Sequence, residues 1–247
     1  MSLNYSKINI SSLGLKDSLG TLEVFDLKSD EIVVICPGGG YHHLSTREAT
    51  PVANKFNSYN ISSAIISYTV LRHHPSPYNE VVACLKYIKG LGFKKIYLCG
   101  FSAGGHLAAH VSATYKNVLD FDIEGVILGY PVVNLYGDEI HVGTRLNLVG
   151  DDENMARELS IPNLVTNDMP RVFLFTTYDD EAVPFNNSLS LINCLKANKV
   201  SLEAHIFPHG PHGVALADET AIKDGDTKYV IPLVATWIKY AVDFVKR

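Results

Sequence analysis

The chain has 247 residues, 47% of them hydrophobic and 19% charged, with a formal net charge of −5. That length and balance describe an ordinary globular chain, long enough for one large domain with a substantial core or, less plausibly, for two small ones. A negative total without basic runs argues against nucleic acid or an anionic membrane surface as the main partner, and no apolar run approaches the ~18 residues of a membrane helix.

Residues 4–20 are polar and read as a meandering lead-in. Residues 21–27 alternate as an early strand, and Glu31–Cys36 (E-I-V-V-I-C) is a β-branched run of the kind buried on both faces of a parallel sheet. It stops at P-G-G-G-Y, Pro37 to Tyr41. Successive glycines after a buried strand let the backbone approach a ligand and aim N–H groups at it. Beyond lie His42, His43, Arg47 and Glu48, a helix over 50–59, a strand over 61–68 and a helix over 77–89 that opens on a proline.

The segment from Lys95 to Ala113 organises the rest: a buried strand, then Gly100-Phe101-Ser102-Ala103-Gly104, then a helix. Gly-x-Ser-x-Gly alone arises by chance in roughly one chain in ten of this length, but here a strand runs straight in and a helix straight out. Such a turn strains its apex, and the flanking glycines remove Cβ atoms that would collide. The hydroxyl of Ser102 is pushed clear of the backbone, and the unpaired N–H of Ala103 faces any negative charge beside it.

Further strands are expected over 125–130, Arg171–Thr177 and 201–207, with helices over 184–197 and 230–245. The long connection 131–170, with a short helix over 147–159, reads as a small lid. Strands alternating with helices imply one α/β domain over 1–247, a doubly wound and mostly parallel sheet whose ligands bind at the strands' carboxyl ends.

A serine needs a base, and the base needs an orienting acid. The loop after Arg171–Thr177 supplies Asp179, Asp180 and Glu181; the loop after 201–207 supplies His209 and His212. Both loops leave the ligand-binding edge, giving the order Ser, Asp, His. Spacing alone leaves Asp179 or Asp180, and His209 or His212, open. His106 and His110 are expected to face solvent or neighbouring helices. His42, His43 and His141 lack an orienting acid, although His42 and His43 fit a pocket lining. No metal site is read, because Leu107 stands where a helical zinc motif needs its glutamate. Cys36, Cys84, Cys99 and Cys194 show no C-x-x-C spacing and read as reduced core thiols. With no signal-peptide pattern visible, a cytoplasmic location is expected.

These motifs together resemble the α/β-hydrolase superfamily, and within it the small esterases related to acetyl xylan esterases and to the hormone-sensitive-lipase-like carboxylesterases. The resemblance runs from P-G-G-G-Y through the serine turn and D-D-E-A-V-P to G-P-H-G. Its D-x-x-V-P segment selects Asp180 as the acid and its F-x-x-G-x-H-G segment selects His212 as the base, beside Ser102 as nucleophile. It assigns the oxyanion hole to Gly39, Gly40 and Ala103, with Tyr41 and His42 as substrate contacts. Pro37 replaces the histidine of H-G-G-G carboxylesterases, and S-x-R-E at Ser45 to Glu48 looks more like the acetyl-xylan-esterase branch. The resemblance implies a cofactor-free serine esterase acting on a short acyl group, such as the acetate of an acetylated sugar or xylo-oligosaccharide. A lipase, thioesterase, peptidase or silent binding protein on the same fold are the alternatives. A homodimer is compatible with the sequence.

Overall fold

A computed structural model describes residues 3–222 and 225–247. Eight strands make one sheet: β1 (Asn4–Asn9), β2 (Thr21–Asp26), β3 (Glu31–Cys36), β4 (Ser62–Ser67), β5 (Lys95–Phe101), β6 (Gly125–Gly129), β7 (Arg171–Thr177) and β8 (Leu202–Phe207). Their order is β1-β2-β4-β3-β5-β6-β7-β8. β1 pairs β2 and β2 pairs β4 antiparallel, while every pairing from β4 to β8 is parallel. The chain therefore leaves β3 outward to β4 and returns across it to β5. This reversal puts the loops after β3 and β5 side by side, with Cys36 in register with Gly100, at the crevice where such sheets bind ligands.

Helices cover both faces. α2 (Ser76–Gly90), α3 (Ser102–Thr114) and α6 (Asn186–Ala197) pack on one side with Ile32, Val34, Leu98, Leu128 and Leu174. α1 (Thr50–Ser58) and α7 (Trp237–Lys246) cover Val33, Ile35 and an aromatic set of Tyr97, Phe101, Phe173 and Phe175. The two clusters follow from the two-residue period of a strand, which sends alternate side chains to opposite faces. Continuous apolar runs are what a doubly covered sheet requires, and a strand with one wet face would have alternated.

Three elements differ from expectation. The polar lead-in contains β1, whose side chains are almost all exposed and whose order comes from its ladder to β2. The closing helix starts at Trp237, preceded by a 3-10 turn over Val234–Thr236, because Pro232 cannot be built into a helix interior. The insertion 131–170 carries two helices, α4 (Val142–Val149) and α5 (Glu153–Glu158), divided at Gly150, where φ is +63°. Among the described residues no helix is long and apolar enough to cross a membrane.

Of the two surroundings expected for His106 and His110, solvent or neighbouring helices, the fold gives the second: they are 0% and 5% exposed. Tyr41 donates its hydroxyl to His106 Nδ1 at 3.0 Å, and His106 Nε2–H donates to the Leu159 carbonyl at 2.9 Å. His110 lies between the rings of Tyr78 and His74, with centroids at 4.6 and 5.3 Å. Burial pushes His106 down to about 4 and His110 to about 2. Both are neutral in the fold but take a proton near pH 6.5 when unfolded, so their stabilising contribution is complete above 6.5 and is lost as pH falls toward 4. Denaturant midpoints are expected to drop between pH 7 and pH 5 by an amount equivalent to roughly 2 kcal/mol for each histidine. Equal midpoints at the two pH values would contradict this.

Candidate active site

At the carboxyl end of β5 the chain turns directly into α3, and Ser102 sits in the left-handed region with φ +51°. The turn is tight because α3 presses on β3: a Cβ at Gly104 would overlap the backbone carbonyls of Cys36 and Pro37. This close approach is the physical demand behind the second glycine of the motif. Ala103 is in the first turn of α3, where no helical carbonyl can reach its N–H.

The loop after β7 carries Asp180, whose side chain is fully buried. Its Oδ1 accepts the N–H groups of Ala182 and Val183, both at 3.0 Å, and its Oδ2 stands 2.7 Å from His212 Nδ1. A carboxylate only accepts, so His212 Nδ1 holds the ring proton and Nε2 is left as an acceptor. Ser102 Oγ lies 2.8 Å from that Nε2. Asp179 turns the other way: it accepts the Gly210 N–H at 2.8 Å and pairs with His209 at 3.0 Å. His209 is out in solvent, its side chain 83% exposed, and its hydrogen bond goes to Asp179 rather than to Ser102.

The loop bearing His212 is gripped at Ala215. Its N–H donates to the Tyr130 hydroxyl at 2.9 Å, and its carbonyl accepts Trp237 Nε1–H, also at 2.9 Å. Trp237 is itself stacked on Phe175 with centroids 4.3 Å apart. Tyr130 donates onward to Glu48 Oε1 at 2.7 Å, and Glu48 Oε2 accepts the Gly38 N–H at 2.7 Å. Glu48, 3% exposed, thus joins the glycine loop to the histidine loop. Two donated bonds offset the penalty of burying its charge without a cation.

In the glycine loop Gly39 has φ +127°, and a Cβ there would overlap the His43 carbonyl oxygen. His42 and His43 N–H groups both fold back onto Gly39 O, at 3.0 and 3.1 Å. The N–H groups of Gly39 and Gly40 meet no acceptor among the described residues. Tyr41 is a correction. Expected to touch substrate, it is 1% exposed, with its ring in the core and its hydroxyl on His106. Its φ of +57° turns the side chain inward where the glycines before it open outward.

Ser102 opens into a cavity of about 440 Å³ bordered by Gly39, Gly40, His42, His43, Ser45, Arg47, Glu48, His141, Asn147 and His212. Among the described residues no aliphatic side chain lines it. His141 and Asn147 come from α4 and its cap, so the 131–170 insertion forms one wall. A second cleft, of about 650 Å³, lies on the far side of His212 and is lined by Asp179, Glu181, His209, Lys228 and Tyr229 among others. Sequence reasoning set His141 aside for want of an acid. What orients its ring is Thr144, whose N–H donates to Nδ1 at 3.1 Å; histidine three residues before threonine at a helix start was the available signal. Among the described residues no three metal-ligating side chains stand together.

Comparison with known proteins agrees with this architecture. A chain of 29% identity, an endo-1,4-beta-xylanase B of Butyrivibrio fibrisolvens, aligns over 217 residues, covering 78% of this chain and 34% of its own length. An acetylxylan esterase of Xylanibacter ruminicola is 25% identical over 201 residues, 75% of this chain and 41% of its own. The chain thus spans well under half the length of either relative. The crystal structure of an acetyl ester-xyloside bifunctional hydrolase from Caldicellulosiruptor lactoaceticus superposes with a TM-score of 0.83 at 29% identity, covering 98% of this chain and 95% of that one. The prolyl oligopeptidase family model matches residues 74–230, a span that holds Ser102, Asp180 and His212 in one unit and makes this chain a member of that family of α/β-hydrolases.

Proposed function

We propose that the protein is a serine carboxylic-ester hydrolase that removes short acyl groups, acetate above all, from esters such as acetylated sugars or xylo-oligosaccharides. The observation that carries this reading is the relay Asp180 Oδ2, His212, Ser102 Oγ at 2.7 and 2.8 Å, at the floor of a small cavity lined by polar side chains and glycines. His212 Nε2 takes the hydroxyl proton as Ser102 Oγ bonds to the ester carbonyl carbon. The carbonyl electrons move to oxygen, which is held by the N–H groups of Gly39, Gly40 and Ala103, each worth about 3 kcal/mol in the transition state. Collapse breaks the bond to the alcohol, which leaves with the proton from His212. Water then repeats the sequence on the acyl-serine, freeing the acid and Ser102.

Similarity to the acetylxylan esterase and to the acetyl ester-xyloside hydrolase favours an acetylated carbohydrate. The xylanase name of the other relative supports no glycosidase at this pocket: cleaving a glycosidic bond takes two facing carboxyls, and among the described residues Glu48, with both oxygens engaged, is the one carboxylate in the lining. Family membership alone favours a peptidase as the second reading. Four unpaired cysteines, three of them buried, suit a reducing compartment, and the cytoplasm is the proposed location.

A series of p-nitrophenyl esters tests the reading together with acetate release from acetylated xylo-oligosaccharides. With no aliphatic side chain among the described lining of the Ser102 cavity to seat a long chain, kcat/KM is expected to be highest for acetate and to fall at least tenfold by C8. A preference for C12 or longer, or faster cleavage of a prolyl p-nitroanilide than of any acetate, would overturn it.

A further inference from the structure

The wall contributed by α4 and its cap holds two polar side chains that the reaction above does not use, and of these Asn147 is already bonded to Gly40 O. His141 accepts the Thr144 N–H at Nδ1, with the Thr144 hydroxyl 2.7 Å from the same nitrogen. Because Nδ1 is an acceptor, the proton of the neutral ring is on Nε2. Nε2–H has no acceptor among the described residues. The ring edge lies over the glycine loop, since a Cβ at Gly40 would come within 3.7 Å of Cε1, and the side chain borders the cavity shared with Ser102 and His212. Burial first, and the charge on His212 second, lower its pKa, with Asp180 and a backbone hydrogen bond acting the other way, which favours the neutral ring that donates at Nε2. Docking of α4 does not depend on this ring, because Asn147 Nδ2 already donates to Gly40 O at 2.9 Å.

Resting on ester hydrolysis at Ser102, we propose that His141 determines specificity: its Nε2–H donates to a hydroxyl or ring oxygen on the alcohol half of the ester, selecting esters of polyhydroxylated alcohols over those of plain alcohols. An ester offering that acceptor satisfies the donor. One without it displaces water and leaves the donor unpaired, a difference of about tenfold to a hundredfold in kcat/KM.

The test measures kcat/KM of the full chain for a monoacetylated methyl xyloside and for p-nitrophenyl acetate, and reads the ratio. His141→Asn keeps an acceptor at the cap and deletes the donor at the Nε2 position. The sugar-to-aryl ratio is expected to fall tenfold or more with the melting temperature within about 2 °C. His141→Gln, whose amide N–H reaches near the lost Nε2–H, is expected to recover part of the ratio. If His141→Asn does not fold, His141→Ser, which also caps, is read the same way. A ratio that does not change in the cap-retaining variant overturns the proposal, whether both rates fall or neither does. A native chain that cleaves the aryl ester but not the sugar acetate also overturns it while leaving the esterase reading standing; cleavage of neither ester overturns both.

Discussion

Replacing Ser102 by alanine is expected to lower kcat for p-nitrophenyl acetate about 10⁶-fold, and His212→Ala by about as much. The two losses should not add. Once the hydroxyl is gone there is no proton for His212 Nε2 to take across the 2.8 Å contact, so the double variant is expected to match either single one. Asp180→Asn keeps the shape of the buried side chain but presents an amide to His212 Nδ1 and reverses the tautomer; a loss of about 10⁴-fold is expected. His209→Ala, which breaks the solvent-exposed pair with Asp179, should stay within a few-fold of the parent. Each variant is checked by circular dichroism and by labelling with a fluorophosphonate, which should mark the parent and His209→Ala but not Ser102→Ala. Parent-level turnover by Ser102→Ala would sink the assignment.

Gly104→Ala has the second large expected effect, and it falls on stability and catalysis together. The added methyl would overlap the carbonyls of Cys36 and Pro37. Both are backbone atoms, so no rotamer change relieves the contact, and α3 must retreat from β3. We expect about 3 kcal/mol of destabilisation, the upper end for overpacking, and a melting temperature lower by about 6 to 12 °C. The same retreat moves the Ala103 N–H away from those of the glycine loop, and a misplacement near 1 Å lowers kcat about 10²-fold. Gly90→Ala serves as the control, since a Cβ there meets nothing within 4 Å and replaces glycine in the last turn of α2; its stability is expected to hold or rise by about 0.5 kcal/mol. If Gly104→Ala melts with the parent, close packing of α3 on β3 is not what the glycine serves.

Much of the sheet was legible because its central strands are covered on both sides, which writes them as unbroken apolar runs. Arg171–Thr177 has the same bounds in the sequence and in the fold, and Glu31–Cys36 likewise. β1 was not legible, since N-Y-S-K-I-N carries no apolar pattern and the partner that orders it lies across the β1–β2 turn. Tyr41 was misplaced, and solvent was left open beside neighbouring helices for His106 and His110, for a related reason. Polar side chains are expected outside unless a partner is known, and those of His106 lie 65 and 53 residues away. For the candidate site, order along the chain located the loops that meet at Ser102 but could not choose within them. Asp179 and Asp180 each hold a histidine, so acid–imidazole pairing alone would not discriminate; the family resemblance made the choice, and the fold sends only one of the two pairs to Ser102. Glu48 and Tyr130 were missed as a pair because their hydrogen bond joins positions 82 residues apart in sequence, whereas His141 is held locally by Thr144.

The hydrogen bond between Ser102 and His212 spans 110 positions of sequence, and the loop bearing His212 is secured by Trp237 further on. On a chain emerging from the ribosome, the strand, sharp turn and helix around residue 102 are made long before their imidazole exists. The hydroxyl therefore has no imidazole beside it until residue 212 has been made and α7, which secures the loop that carries it, has docked.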